Sequence, residues 1–300
     1  MKTLRKKMIA GIMMAVLCIG MIGCGSKSNS NSEKSAGTTK SETKDAGSTT
    51  DSGEADSDSE TIAAIKERGK LIMATASGYP PYEFVSVEND GKVIGIDVEF
   101  AQAIADELGV ELEVQDMPFS EVITSLQSGN CDIAIAGTTE TEERAKVVDF
   151  TNAYVEDKFV LVVMKKDADK YKTLKDFSGK NIAVEMGSAA ETVAQEELSD
   201  ANITSLSLNA DTFTELASGK VDAVVNSDVV AQQYAISNSD YTILDVEFAS
   251  AAKKCQAAVR KGDTGFLDLV NKVIKENQDN GNFDKWIQEY SEQAAKEAAK

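Results

Sequence analysis

The chain contains no histidine. That absence excludes Ser-His-Asp triads, Cys-His nucleophiles, histidine general bases and every histidine-bearing metal site. Positive charge is also scarce. There are 31 Lys and Arg against 50 Asp and Glu, for a formal net charge of -19. A basic footprint is missing, so no nucleic acid is expected as a partner. Three prolines and one tryptophan rule out a collagen-like or proline-rich chain. Cysteine is sparse too. Cys131 and Cys255 sit in apolar, strand-like contexts and read as small buried hydrophobes rather than a disulfide. Two cysteines without histidine make a poor metal site, and neither metal nor cofactor is expected. The apolar run Met8 to Ile22 falls short of the ~20 residues that a membrane-spanning helix needs.

What is present begins with that run. Lys2, Arg5, Lys6 and Lys7 precede it, and the whole reads as a signal peptide over residues 1–23. It ends Met21-Ile22-Gly23-Cys24, which resembles a bacterial lipobox, with Met21 where leucine is usual. Cys24 is the expected lipidation site, carrying a palmitate-type anchor. Removing residues 1–23 takes away four positive charges and leaves -23. Within the segment 24–59, residues 25–59 are mostly Ser, Thr, Gly, Asp, Glu and Lys with almost no aliphatic residue. Such a stretch cannot bury enough apolar area to offset its ordering entropy, and it reads as a disordered, lipid-anchored tether.

The rest of the 300 residues suffices for one large or two medium domains. Helical and strand signals alternate from residue 60 onward, which argues an α/β fold with largely parallel sheets. The pattern occurs twice. Leu126-Gln-Ser-Gly-Asn-Cys-Asp132-Ile-Ala-Ile matches Leu216-Ala-Ser-Gly-Lys-Val-Asp222-Ala-Val-Val. Each reads as a helix end, a glycine stop and a short buried strand, the first over Ile133–Ala136. Gly69-Lys-Leu-Ile-Met-Ala likewise matches Gly179-Lys-Asn-Ile-Ala-Val. Each follows an amphipathic helix, Ile62 to Arg68 or Leu174 to Phe177. Two duplicate lobes imply a cleft between them.

Ligands of open α/β sheets bind beyond the C-terminal strand ends, where helix N-termini offer free N–H groups to an anion. Here those places are Ala76 to Tyr82, Gly137 to Arg144, Gly187 to Glu191 (with Ser188 and Ala189), and Asn226 to Asp228. Arg144 is a planar fork suited to a carboxylate, or else a surface residue paired with Glu140 or Glu143. Thr138, Thr139 and Thr141 are hydroxyl donors and candidate caps. Tyr79, Tyr82, Phe84 and Phe119 fall in the expected mouth loops. Asp97 reads as the N-cap of a helix that stops at Gly109, a structural role.

Taken together, Tyr79-Pro-Pro-Tyr-Glu-Phe84, the Gly95 to Leu108 helix, Met117-Pro-Phe119, Ala136 to Thr151 and Leu216 to Val225 resemble one family. It is the extracytoplasmic solute-binding proteins of polar amino-acid ABC transporters (bacterial family 3). The resemblance runs from about Thr61 to the Trp286 region. It implies a two-lobe periplasmic-binding-protein type II fold, each lobe a sheet flanked by helices, joined by two hinge strands. Lobe 1 would be 61–155 plus 249–300 and lobe 2 would be 156–248. Arg144 would clamp the ligand carboxylate with the Thr139 hydroxyl and the Ala189 amide, and the Gly137 carbonyl would accept from the ammonium. Tyr79 and Phe119 would sandwich the side chain. The family places an Asp where this chain has Ser227, so Asp228 or Glu185 would hold the ammonium, or the ligand would lack one. The implied protein is a monomeric, lipid-anchored, extracytoplasmic binder that serves a permease and its ATPase. The competing readings are an enzyme on the same scaffold, of the cyclohexadienyl dehydratase kind, and a ligand-sensing lipoprotein for an amino-free carboxylate. Among the acids, Glu83, Asp97 and Glu185 form no pair in the sequence.

Overall fold

The computed structural model describes residues 59–250 and 252–299. The expected signal peptide, Cys24 and the tether up to residue 58 lie outside the described residues. Ser59, at the end of the expected tether, is buried and caps the first helix, its Oγ accepting from the Ile62 N–H at 3.2 Å.

In chain order the first half holds α1 (Glu60–Arg68), β1 (Lys70–Thr75), β2 (Phe84–Ser86), β3 (Lys92–Ile94), α2 (Ile96–Leu108), β4 (Glu111–Asp116), α3 (Phe119–Gln127), β5 (Ile133–Ala134), β6 (Val148–Phe150) and β7 (Val155–Met164). The second half holds β8 (Asn181–Glu185), α4 (Ala189–Glu197), β9 (Asn202–Leu206), α5 (Asn209–Ser218), β10 (Ala223–Ser227), α6 (Asp228–Ser237), β11 (Tyr241–Ile243), β12 (Ala252–Cys255), β13 (Ala258–Arg260), α7 (Thr264–Asp279) and α8 (Asn282–Ala298). None of these helices is long and apolar enough to cross a membrane.

Two main sheets organise two lobes. Lobe 1 has the strand order β4-β1-β5-β13-β6, and lobe 2 has β11-β7-β10-β8-β9. The sequence repeat is visible in these orders. β1-α2-β4-α3-β5 places its strands as second, first, third, and β8-α4-β9-α5-β10 does the same. Only these trios are parallel. β6, β7, β11, β12 and β13 pair antiparallel, so the sheets are mixed rather than largely parallel. The reason is the crossing between lobes. β7 pairs with β12 through its first residues and with β10 and β11 through its last, so the chain leaves lobe 1 on β7 and returns on β12. A strand that returns beside its partner must run against it.

The repeated Asp has the same task in each lobe. Asp132 Oδ2 accepts from the Ile72 N–H and Asp222 Oδ2 from the Asn181 N–H, both at 2.9 Å, tying each third strand to the first. Apolar side chains fill both faces of each sheet. Leu71, Met73, Phe100, Ile104 and Phe266 form one core of lobe 1, and Phe119, Val122 and Leu126 form the other. Leu161, Phe177 and Val184 form one core of lobe 2, and Val162, Phe213 and Leu216 the other.

Three local expectations are corrected. Asp97 does not cap α2; Gly95 does, at φ 139°, where an added Cβ would lie 2.1 Å from the Tyr82 carbonyl oxygen. Only glycine tolerates that approach, and it leaves Asp97 in the first turn facing inward. The strand after Gly129 closes at Ala134, and the chain then bends into Gly137 at φ 52°. Leu174–Phe177 forms a single 3-10 turn instead of an amphipathic helix, held by a Thr173–Asp176 capping box. Cys131 and Cys255 are buried and free, as their apolar contexts suggest.

Candidate functional site

The strand ends of the two trios face each other across a narrow, closed cleft with about 30 Å³ of free space. Lobe 1 contributes Tyr79, Phe119, Gly137, Thr139 and Arg144, and lobe 2 contributes Glu185, Ser188 and Ala189. These eight residues from the sequence reading are brought together.

Arg144 opens a short 3-10 turn, its N–H donating to Thr141 Oγ1 at 3.2 Å. Its side chain reaches across the cleft. Nη1 donates to the Thr139 carbonyl at 2.7 Å, and Nη2 donates to the Gly187 carbonyl of the other lobe at 2.6 Å. The guanidinium carbon stands 5.2 Å from the centre of the Phe119 ring. No Glu of its own segment pairs with it, so the surface reading fails. Burial draws its pKa down to about 10, so it stays charged at neutral pH. Thr139 Oγ1 is buried with no protein partner. Ala189 is the first residue of α4, and its N–H belongs to the turn that lacks intrahelical partners. Ser188 caps that helix by accepting from the Glu191 N–H at 3.1 Å. A guanidinium, a hydroxyl and a helix N-terminus thus line one cavity, a donor set chemically suited to a carboxylate.

The cleft is closed by a second set of bonds. Asn209 Nδ2 and the Tyr234 hydroxyl, both from lobe 2, donate to the Gly78 carbonyl of lobe 1 at 3.0 and 2.9 Å. Asn226 Nδ2 steadies Asn209 Oδ1 at 2.6 Å. Tyr79 packs on Gly137 so closely that an added Cβ there would lie 3.0 Å from its Cε1.

Three expected residues lie elsewhere. Thr138 is fully buried, and its hydroxyl donates to the Gln256 carbonyl behind the cleft wall. Ser227 ends β10, fully buried and off the cavity. Asp228 heads α6 with its carboxylate 3.7 Å from Lys158 Nζ, outside the cavity.

The structure adds residues to which the sequence assigned no ligand role, alongside Asn226 of the expected Asn226 to Asp228 loop. Asn209, Asn226, Phe159 and Val225 line lobe 2, and Glu83 and Lys253 complete the wall. Glu83 is 1% exposed, and its Oε2 has no partner. It also pairs with Asp97, a pairing that the sequence does not show. Burial and then the Asp97 charge push Glu83 well above the ordinary carboxyl range. Burial raises Asp97 to about 6, opposed by the Gly137 N–H at 2.7 Å and the Tyr154 hydroxyl at 2.8 Å. Burial raises Glu185 to about 7, opposed by the Asn209 N–H, Lys253 and Arg144. One sequence signal did point to Lys253. In Ala252-Lys-Lys-Cys255 the strand period puts Lys253 on the same buried side as Cys255. Among the described residues no cluster of three metal-ligating side chains exists.

Comparison with known proteins agrees with this geometry. Residues 71–293 match the family described as bacterial extracellular solute-binding proteins, family 3. The arginine-binding extracellular protein ArtP of Bacillus subtilis is 36% identical over 218 residues, covering 72% of this chain and 84% of ArtP. The structure of an amino acid ABC transporter substrate-binding protein, AbpA, from Streptococcus pneumoniae bound to L-arginine superposes with a TM-score of 0.75. It is 36% identical and covers 78% of this chain and 99% of its own. The ancestral amino acid-binding protein AncCDT-1, a precursor of cyclohexadienyl dehydratase, has a TM-score of 0.71 at 33% identity, covering 77% of this chain and 99% of its own. A match over most of the chain, two mixed sheets built on one repeated plan and a cleft between them make this chain a member of the bacterial extracellular solute-binding proteins, family 3.

Proposed function

We propose that the protein binds a polar amino acid outside the cytoplasm and delivers it to an ABC permease driven by its ATPase. The observation that carries this reading is Arg144, held across the cleft beside the unpartnered Thr139 hydroxyl and the N-terminus of α4. A ligand carboxylate would meet all three only when the lobes are closed, so the ligand stabilises closure through contacts that the open form lacks. Lobe 1 (61–155 plus 249–300) would move against lobe 2 (156–248) about β7 and β12, in a monomer. Lipid on Cys24 would keep the binder at the membrane that holds its permease.

The Glu83–Asp97 pair is the one feature that favours an enzyme, since paired carboxyls can share acid and base roles. Asp97 is occupied, however, with both oxygens taken by the Gly137 N–H and the Tyr154 hydroxyl. It braces the Gly137 loop, and the chain is read as a binder without catalysis.

Melting the full chain with each of the twenty amino acids tests the reading. A ligand at 100 times its Kd adds about 2.7 kcal/mol and raises Tm by several degrees. A panel in which no amino acid moves Tm contradicts it.

A further inference from the structure

α6 belongs to lobe 2, between β10 and β11, yet it has no polar stripe. In Asp228-Val-Val-Ala-Gln-Gln-Tyr-Ala-Ile-Ser237 the apolar residues fall on every side of the helix. A helix apolar all round is covered on more than one side, and α6 is covered by both lobes. Ala231, Tyr234 and Ala235 pack into the lobe 2 core with Val162, Phe213 and Leu216. Val230, fully buried, packs with Val229 and Tyr234 into the lobe 1 core that holds Phe100 and Phe266. On that side α6 lies against α8.

Hydrogen bonds tie both ends of α6 to lobe 1. Near its C-terminus the Tyr234 ring stacks on Phe213 of lobe 2, with centres 3.7 Å apart and planes at 2°. That stacking holds the hydroxyl toward lobe 1, where it donates to the Gly78 carbonyl at 2.9 Å. At its N-terminus the Val229 N–H donates to Asp157 Oδ1 at 3.4 Å, and Asp157 Oδ2 accepts from the Tyr82 hydroxyl at 3.3 Å. Asp157 lies on the connecting strand β7, opposite Lys253 of β12. The Gly78 turn also places a cavity wall. The Gly78 and Tyr79 N–H groups both donate to the Glu83 carbonyl, at 3.1 and 2.9 Å, and Tyr79 lines the cavity. Neither Gly78 nor Tyr234 lines it.

We infer that α6 clasps the two lobes, and that the Tyr234 hydroxyl sets how long a solute is retained without touching it. This rests on the reading of the cleft as the solute site. The bond joins two protein atoms on opposite lobes, so opening breaks it whatever the solute is. A solute leaves through the open form, and each bond that opening must break slows its release. Encounter with the open lobes does not involve that bond. Tyr234 is therefore a positioning residue, acting through the Gly78 turn and the closure of the lobes.

Stopped-flow binding of L-arginine, L-glutamine and L-glutamate, and of any other of the twenty amino acids that raises Tm, tests this on the full chain and on Tyr234→Phe. The variant keeps the ring on Phe213, and Asn209 Nδ2 still satisfies the Gly78 carbonyl at 3.0 Å, so the fold is retained. The expected result is release about 3–10-fold faster, the worth of one hydrogen bond, with association within about twofold of wild type. Every amino acid that binds should weaken by the same factor, whereas a residue that touches the solute would change their order. An unchanged release rate overturns the inference and leaves the amino-acid function standing. So does a loss confined to association or to one amino acid. A variant that does not fold shows that the hydroxyl serves the core, and overturns the inference too. Wild-type protein that binds none of the twenty overturns both readings.

Discussion

Arg144→Ala weakens amino-acid binding by about 10³-fold while leaving the empty protein folded. The size follows from what the side chain does. In the proposed function it is the cation that meets the ligand carboxylate, desolvated between the lobes, where removing one partner of a hydrogen-bonded charge pair costs 2–5 kcal/mol or more, which is about 30-fold to several thousand-fold in Kd. The same change deletes the bond from Nη2 to the Gly187 carbonyl, so closure loses one of its cross-lobe ties along with the ligand contact. Folding is spared because neither lobe core uses Arg144; its partners are two backbone carbonyls at the cleft surface. Calorimetry on wild type and variant, with a melt of each, checks both halves. Affinity within threefold of wild type would remove Arg144 from the site.

Asp132→Ala costs about 3–5 kcal/mol of stability, the usual penalty for breaking a buried ionic network by removing one partner. Asp132 is 3% exposed, and its carboxylate holds the Ile72 N–H, the Arg68 guanidinium and, at 3.5 Å, Arg260 Nη2. These groups join α1, β1, β5 and β13, so the loss reaches across the lobe 1 sheet. At about 2–4 °C per kcal/mol for a body of this size, Tm falls by roughly 10 °C. The repeat supplies its own control. Asp222 occupies the same place in lobe 2, but its side chain is 32% exposed, with Lys180 at 3.8 Å and the Tyr171 hydroxyl at 3.3 Å. Asp222→Ala therefore costs less, about 1–2 kcal/mol. Equal losses at the two positions would contradict the network argument.

Much of the architecture could be read from the chain because it is written twice. The Gly-Lys strand openings at 69 and 179 and the Ser-Gly helix stops at 128 and 218 mark equivalent turns, and the same second-first-third strand order follows in each lobe. Local chemistry carried these signals, through glycine in the left-handed region and through the periods of helix and strand. The antiparallel strands were not legible in the same way. β6 and β13 are three residues each, and their partners are set by the crossing between lobes. Gly95 was misread for a related reason. Asp97 looks like a cap by residue type, yet what selects the cap is the approach of the Tyr82 carbonyl from outside the helix.

The site divides along the same line. Arg144, Thr139 and Ala189 sit in turns whose sequences announce a helix start after a buried strand. Ser227 and Asp228 sit in such a turn as well, but β10 runs one residue pair further than expected, burying Ser227 and committing Asp228 to α6. Glu83 and Lys253 are 170 residues apart in sequence. No local pattern brings them to one cavity wall; only the pairing of β12 with β7 beside the Tyr79 turn does so.

The central claim is that a ligand carboxylate is held at Arg144 between closed lobes. A crystal structure of the protein with whichever compound raises its Tm most tests this directly. The account predicts a carboxylate within hydrogen-bond distance of the Arg144 guanidinium, the Thr139 hydroxyl and the Ala189 N–H, with the Gly78 carbonyl still bonded to Asn209 and Tyr234. A ligand bound outside the cleft, or one in the cleft with its carboxylate away from Arg144, would contradict it.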